Sequence, residues 1–291
     1  MTAAKRRRKT PAGTPAASPR ATARFPGPDL AEPARPSIKS LSTALRLLLR
    51  FVAAQGPLGV GELAQQIGLH KSQVSKILKT FRDYDILEQD AVTQKYSVGL
   101  NAFALGNNYV NAYPLSREAL PVMRKLVDET GHTATLSIMH NSNVIHLLAE
   151  EGRLFIDGRW RVGRWMPYHA TVAGKLLLAF GPAERIDLLL KTRGLPRITP
   201  NTITNERQFR AVLQKARATG ISVTRSETYA ASAAIGAPVF NATGQAIAVL
   251  GLICPEHLLT REEEGRLVAP LQHAARELSF RMGAETYPFG K

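Results

Sequence analysis

Residues 60–81 read VGELAQQIGLHKSQVSKILKTF, and this stretch decides the fold of the N-terminal part of the chain. Apolar residues recur at steps of three and four on both sides of a short turn that contains Gly68. This spacing predicts amphipathic helices over residues 60–66 and 72–84. Two helices joined by a short turn with a glycine are typical of a helix-turn-helix.

The segments on either side extend this motif. Upstream, apolar residues at helical spacing predict a helix that starts near residue 38 and ends before Gly56. Downstream, residues 86–89 and 95–98 have the pattern of two short strands around a polar turn, which would form the wing of a winged helix. We therefore expect residues 37–99 to form a winged helix-turn-helix DNA-binding domain.

The second helix of the motif would supply the chemistry of DNA reading. Its first residues would reach base edges in the major groove, where Gln can bond adenine and Lys can reach guanine. Lysines at its margins would contact backbone phosphates. The expected DNA-binding residues are Lys71, Ser72, Gln73, Ser75, Lys76 and Lys79. The same pattern also fits a solvated polar face on a three-helix domain.

The charge balance of the 291-residue chain favours a polyanionic partner. Lys and Arg number 38 against 23 Asp and Glu, a net charge of +15. This excess points first to nucleic acid and second to an anionic membrane surface. Residues 1–36 carry eight basic and two acidic residues, and their composition predicts a disordered tail. That tail would be either simply solvated or in loose contact with DNA phosphates.

Composition and motifs disfavour several other classes of protein. The single cysteine, Cys254, excludes an internal disulfide framework and a multi-cysteine zinc module, and it suits a cytoplasmic location. No apolar run approaches the roughly 20 residues of a membrane-spanning helix, so no membrane partner is expected. We assign no metal site, cofactor or catalytic residue, because the sequence shows no metal-binding, phosphate-loop or nucleophile-elbow motif. An enzyme with an appended nucleic-acid-binding module is the alternative function.

The remainder of the chain has the pattern of a linker helix over residues 100–115 followed by a second domain over residues 116–291. Helices are expected over residues 100–113, 116–129, 170–179, 182–190 and 206–219, and from a capping box at Thr260 to about residue 282. Strands are expected over residues 133–139, 144–148, 232–239 and 245–253. Hairpins mixed with helices favour an α+β fold with an antiparallel sheet.

Separated sequence blocks in a fixed order resemble the isocitrate-lyase-regulator (IclR) family of transcription factors. The resemblance covers residues 38–282. The blocks that carry it are SLSTAL at 40–45, GELA at 61–64, GLHKSQV at 68–74, YSVGL at 96–100, PYHATVAGK at 167–175, TPNTIT at 199–204, Glu227, APVF at 237–240 and Gly244-Gln245.

The resemblance implies a regulator of a catabolic operon with an effector-binding, GAF-like C-terminal domain. It implies homodimers, or homotetramers built as dimers of dimers, on palindromic double-stranded operator DNA. It also implies a small organic acid as effector. The residues that it places at the effector pocket are His169, Val172, Ala173, Thr224, Ser232, Ala234, Gly251 and Ile253.

The chain departs from the family pattern near this pocket. Ala231 stands where a glycine is usual, Arg225-Ser226 replaces an acidic pair, and Ala234 is apolar. We therefore expect a pocket with few polar groups, which suits an aromatic or partly apolar acid. Backbone N–H groups at the start of the helix near residue 170 would bind its carboxylate.

Some residues keep two interpretations. His169 would be either a pocket donor or a helix-start residue bonded to the backbone. Cys254 fits a buried strand residue better than a redox sensor. The aromatic residues Trp160, Trp165 and Tyr168, with Arg159, Arg161 and Arg164, would either line an effector entrance or cover core edges and subunit contacts.

Overall fold

The computed structural model describes residues 36–52, 54, 56–153 and 162–290. The basic tail, apart from residue 36, lies outside the described residues. Arg159, Trp160 and Arg161, which belong to the arginine- and tryptophan-rich segment, also lie outside them.

The N-terminal domain is a winged helix-turn-helix. Its helices are α1 (Lys39–Leu48, continued by a 3-10 turn over Leu49–Val52), α2 (Val60–Ile67) and α3 (Lys71–Asp83). The strands β1 (Leu87–Gln89) and β2 (Tyr96–Val98) pair antiparallel and form the wing. Helix α2 ends at Gly68, whose φ of 70° is left-handed and therefore favours glycine. The apolar stripes of the helices and β1 form one core, with Leu47, Leu63, Val74, Leu78 and Leu87 fully buried.

Two helices connect this domain to the sheet of the second domain. Helix α4 (Leu100–Ala112) ends before Pro114, and α5 (Pro114–Thr130) begins at that proline. The linker helix therefore ends before Pro114, as expected for the helix over residues 100–113, and residues 114–115 of the expected linker region begin α5, because proline donates no hydrogen bond within a helix but fits its first position.

The second domain has an antiparallel sheet between two helical layers, which confirms the α+β prediction. Within the described residues the sheet has the strand order β5-β4-β3-β8-β7-β6. Its strands are β3 (Thr133–His140), β4 (Asn143–Glu150), β5 (Trp165–Pro167), β6 (Ser222–Arg225), β7 (Ser232–Phe240) and β8 (Ala246–Pro255). The helices α5 and α9 (Arg261–Arg281) cover one face, and α6 (Val172–Ala179) covers the other. Helices α7 (Ala183–Arg193) and α8 (Glu206–Thr219) lie outside α6.

The sequence patterns did not predict the two edge strands β5 and β6. Each has only three or four residues, too few for an alternation of apolar and polar side chains to be visible.

The capping box at Thr260 forms on one side only. The Thr260 hydroxyl accepts from the Glu263 N–H at 3.1 Å, whereas the Glu263 carboxylate bonds His132 and Arg266 instead. Among the described residues, no helix is long and apolar enough to cross a membrane.

Candidate DNA-binding and effector-binding sites

Helix α3 presents all six predicted DNA-binding side chains on the protein surface. Lys71, Ser72, Gln73, Ser75, Lys76 and Lys79 are exposed. Val74 and Leu78 of the same helix are buried against the domain core, which fixes which face of α3 points outward. The Lys71 side chain lies across the start of α2, because its Cε is 3.6 Å from the point where a β-carbon on Gly61 would be.

The turn of the wing is closed by its own side chains. Asp90 accepts hydrogen bonds from the N–H and hydroxyl of Thr93, at 2.6 and 2.7 Å. These bonds lower the pKa of the Asp90 carboxyl. Gln94, with a left-handed φ of 57°, donates to the Ala91 carbonyl at 2.8 Å. The wing therefore projects as a short ordered hairpin beside α3.

The PYHATVAGK block forms a tight turn that starts α6. The Thr171 hydroxyl caps the helix by accepting from the Gly174 N–H at 3.1 Å, and it donates to the Pro167 carbonyl at 3.1 Å. A β-carbon on Gly174 would lie 1.9 Å from the carbonyl oxygen of Tyr168. Only glycine therefore allows the first turn of α6 to approach the preceding turn this closely.

The sheet brings most of the predicted effector-binding residues together. Thr224, Ala234 and Ile253 are direct neighbours across β6, β7 and β8. Two residues further along β7, Gly236 pairs with Gly251 of β8. Ser232 lies two residues before Ala234 on β7, so its side chain is on the same face of the sheet. The Val172 side chain lies over both glycines, since β-carbons built on them would be 3.0 and 3.7 Å from its Cγ2. These residues share the sheet face that α6 covers.

The structure corrects the expectation of a face with few polar groups. The register of β3 and β6 places five buried hydroxyl side chains on the α6-facing side of the sheet: Thr133, Thr135, Ser137, Ser222 and Thr224. Ser137 also bonds His146 of β4, with 2.7 Å between Oγ and Nδ1. Of these five only Thr224 was expected at the pocket, because the pairing of β3 with β8 that adds Thr133, Thr135 and Ser137 is a tertiary property.

The His169 ring makes the backbone contact that the second of its two interpretations expects. The ring is fully buried, and its Nε2 lies 2.9 Å from the Pro196 carbonyl. Burial lowers the pKa of His169, and the nearby Lys175 lowers it further, against the opposing effect of the Pro196 bond. The ring therefore contacts the backbone next to the turn that precedes α6. Ala173 is likewise packed in the core between α6 and α8.

A buried ion pair joins three of the quoted sequence blocks. Lys175 of α6 is fully buried and its Nζ is 2.5 Å from Oε1 of Glu227. The Thr202 hydroxyl donates to the Glu227 carbonyl at 2.8 Å, and the Thr228 hydroxyl donates to the Ala170 carbonyl at 2.6 Å. Burial lowers the pKa of Lys175 and raises the pKa of Glu227, and their mutual attraction opposes both shifts. The pair holds the loop after β6 against the start of α6.

Of the departures from the family pattern, Arg225 and Ser226 form local bonds, whereas Ala231 carries a backbone cost. Arg225 donates to Glu264 of α9 at 2.6 Å and to the Leu259 carbonyl at 2.5 Å. Ser226 bonds Glu256. Ala231 has a left-handed φ of 57°, which costs an ordinary L-residue about 1–2 kcal/mol and explains why glycine is usual there.

Contacts within the protein surround Tyr168, Trp165 and Cys254. The Tyr168 hydroxyl donates to the Gly194 carbonyl, and burial raises its pKa to about 12. The ring of Trp165 lies 5.9 Å from that of His140 at the sheet edge. Cys254 is buried in the sheet core, and burial raises the pKa of its thiol to about 11, as expected for a buried strand residue.

Comparisons with known proteins agree with this architecture. Residues 40–91 match the IclR helix-turn-helix domain, and residues 107–280 match the bacterial transcriptional regulator IclR C-terminal domain. The chain is 29% identical to the HTH-type transcriptional regulator KdgR of Escherichia coli, over 86% of this chain and 96% of that protein. It is 30% identical to the HTH-type transcriptional regulator BhcR of Paracoccus denitrificans, over 84% of this chain and 88% of that protein.

A solved structure has the same fold. It is an IclR homologue from Microbacterium hydrocarbonoxydans complexed with 4-hydroxybenzoate, and it superposes with a TM-score of 0.71 at 23% identity, over 84% of this chain and 98% of that one. The relatives are named as transcriptional regulators and not as enzymes. With an exposed helix-turn-helix and a separate sheet domain matching both parts of one family, the chain belongs to the IclR family of DNA-binding transcriptional regulators.

Proposed function

We propose that this regulator is a cytoplasmic protein that controls a catabolic operon, and that a small organic acid bound in the C-terminal domain sets its affinity for a palindromic operator. The observation that carries the proposal is that Val172, in the first turn of α6, packs over Gly236 and Gly251 of the sheet. The sheet face around these two glycines has both hydroxyl and apolar side chains. A ligand that prefers one arrangement of the protein shifts DNA affinity by its differential affinity for the two arrangements.

The effector that this face fits best is an aromatic or partly apolar carboxylic acid that also carries a hydroxyl group. Free N–H groups in the first turn of a helix bind carboxylates, and Val172 and Ala173 occupy that turn. Ala234 and Ile253 offer an apolar surface, and the row that they share ends in Thr224 and Thr133. The 4-hydroxybenzoate bound by the homologue of similar fold has this chemistry.

A large side chain on the proposed pocket face of β7 should abolish the response to effector. Ala234 is only half-buried, so Ala234→Phe adds a ring on the proposed pocket face without entering the core, unlike a substitution of the fully packed Ala173. We expect calorimetric binding of benzoate and 4-hydroxybenzoate to be lost and operator affinity to stay unchanged. Ala211→Phe, on the exposed side of α8, is the control. Undiminished ligand binding by Ala234→Phe would place the pocket elsewhere.

Substitutions in α3 should reduce sequence-specific DNA binding. Gln73→Ala and Lys76→Ala each remove an exposed base-reading side chain, and each should cost about 1–3 kcal/mol on a selected operator and much less on random DNA. Both affinities are measured at one salt concentration. Thr80→Ala, near the C-terminal end of α3, is the control. Equal losses on operator and random DNA would show that these side chains do not read bases.

A second copy of the chain is the proposed occupant of the exposed apolar side chains of α1 and α4, together called the α1–α4 surface. Helix α4 has no charged residue, and among the described residues it buries none of its own. Apolar side chains that are about half or more exposed line this surface: Leu41 and Leu45 of α1, and Leu100, Phe103, Leu105 and Tyr109 of α4. Besides its four asparagines the helix exposes large apolar side chains, and an exposed apolar patch of this kind marks an interaction site. We therefore propose a homodimer through this surface, able to pair into a tetramer.

A charge on α4 should dissociate that dimer. Phe103→Glu places a carboxylate in the proposed interface, and sedimentation should then show a monomer with weakened operator binding. Leu188→Glu, at an exposed leucine of α7 outside this surface, should leave the mass unchanged. A dimer that survives Phe103→Glu would rule out the α1–α4 surface as its interface.

A further inference from the structure

One arginine joins the effector-binding domain to the DNA-binding domain. Arg164 immediately precedes β5, and its Nη2 donates to the Ala54 carbonyl at 3.1 Å. Ala54 follows the 3-10 turn that ends α1 and precedes α2, the first helix of the helix-turn-helix. The guanidinium therefore meets a carbonyl just past the end of a helical segment, where the backbone dipole favours a cation.

The chain between Arg164 and α6 is held in place by strand pairing and a side-chain hydrogen bond. Directly after Arg164, residues Trp165–Pro167 are paired to β4, with Trp165 opposite Ile145 and Pro167 opposite Asn143. The next residue, Tyr168, is tied through its hydroxyl to the Gly194 carbonyl. A displacement at Arg164 is therefore carried along a paired strand rather than absorbed by a loose loop.

The same stretch ends at the first turn of α6. The Thr171 hydroxyl bonds Pro167 behind it and the Gly174 N–H ahead of it. Gly174 is in close contact with the backbone of Tyr168, and the Val172 side chain packs against Gly236 and Gly251 of the sheet. Eleven residues, 164–174, thus lead from a contact with the DNA-binding domain to the helix start that faces the proposed effector site.

We infer that Arg164 is a positioning residue that couples the start of α6 to the helix-turn-helix through its bond to Ala54. The inference rests on the proposed function, because it names the route by which that effector site would act on DNA binding. Coupling between two sites is reciprocal. Operator binding must therefore affect the start of α6 through the same contact, and this can be measured without knowing the effector.

The test is hydrogen exchange of the full chain with and without an operator duplex selected from a random pool. In the unmodified protein, the operator should slow exchange both in α3 and in residues 165–175, the latter by about fivefold or more, the low end of typical allosteric coupling. In Arg164→Ala the slowing in α3 should persist and the slowing in residues 165–175 should disappear. Arg164→Gln should behave in the same way and serves if the alanine variant folds poorly.

A matched control separates coupling from the loss of any arginine–backbone bond. Arg185 donates from Nη2 to the Asn141 carbonyl at 2.7 Å, entirely within the effector-binding domain. Arg185→Ala should keep the operator's effect on residues 165–175. The inference is overturned if that effect persists without Arg164, or if it is absent from the unmodified protein while α3 is protected. Failure of every duplex to protect α3 would contradict the DNA-binding assignment instead.

Discussion

Gly174→Ala is expected to destabilise the effector-binding domain by about 4 kcal/mol or more, near the top of the range for single substitutions. Its β-carbon would lie 1.9 Å from the Tyr168 carbonyl oxygen and 2.6 Å from the Tyr168 carbonyl carbon. Both atoms belong to the backbone, so a side-chain rotation cannot relieve the clash. The Thr171 cap, which depends on the Gly174 N–H, would also be lost. Urea unfolding followed by circular dichroism measures the effect.

Gly265→Ala is the matched control for that substitution. Gly265 lies within α9, and nothing is within 4 Å of the point where its β-carbon would be. Because glycine within a helix is less favourable than alanine, this variant should gain about 0.5–1 kcal/mol. A Gly174→Ala protein with an unchanged unfolding midpoint would contradict the close approach that starts α6.

Lys175→Met should cost about 3–5 kcal/mol, because it leaves the Glu227 carboxylate buried without its cation. The double variant Lys175→Met with Glu227→Gln should be more stable than the single variant, since no buried charge is left unpaired. Lys125→Met is the control. Lys125 pairs with Glu277 at 3.4 Å with 69% of its side chain exposed, and such a pair contributes at most about 1 kcal/mol.

The single variant should also show a distinctive pH dependence. Burial already raises the pKa of Glu227, and removal of the opposing lysine raises it further. A carboxyl whose pKa is higher in the folded state stabilises the fold below its unfolded pKa and loses this as pH rises through its folded pKa. Lys175→Met should therefore recover stability when the pH is lowered from 7 towards 5, and the double variant should show no such recovery. Equal pH dependence of the two would contradict a buried, charged Glu227.

The sequence by itself determined the local elements and the surface chemistry of the DNA-binding domain. Helical periodicity over α2 and α3, with the left-handed Gly68 between them, depends on contacts between near neighbours in the chain. The same periodicity that buries Val74 and Leu78 turns Gln73 and Lys76 outward. For this reason the outward placement of the six predicted residues of α3 follows from the order of residues in that helix. Helix, strand and hairpin patterns also indicated the second domain, and the family blocks added the proposed place of its effector-binding face.

Only the tertiary structure decided which side chains lie on the proposed effector-binding face and what supports it. Thr135 lies opposite Gly251, and Thr224 opposite Ala234, because strands distant in sequence pair in one particular register. The alternation of residues in β3 puts Thr133, Thr135 and Ser137 on one face, but only the pairing of β3 with β8 decides that α6 covers it, so a face with few polar groups was expected. The Lys175–Glu227 pair spans 52 residues and the Arg164–Ala54 bond spans 110. Contacts of that separation arise from the packing of whole elements, which no local pattern records.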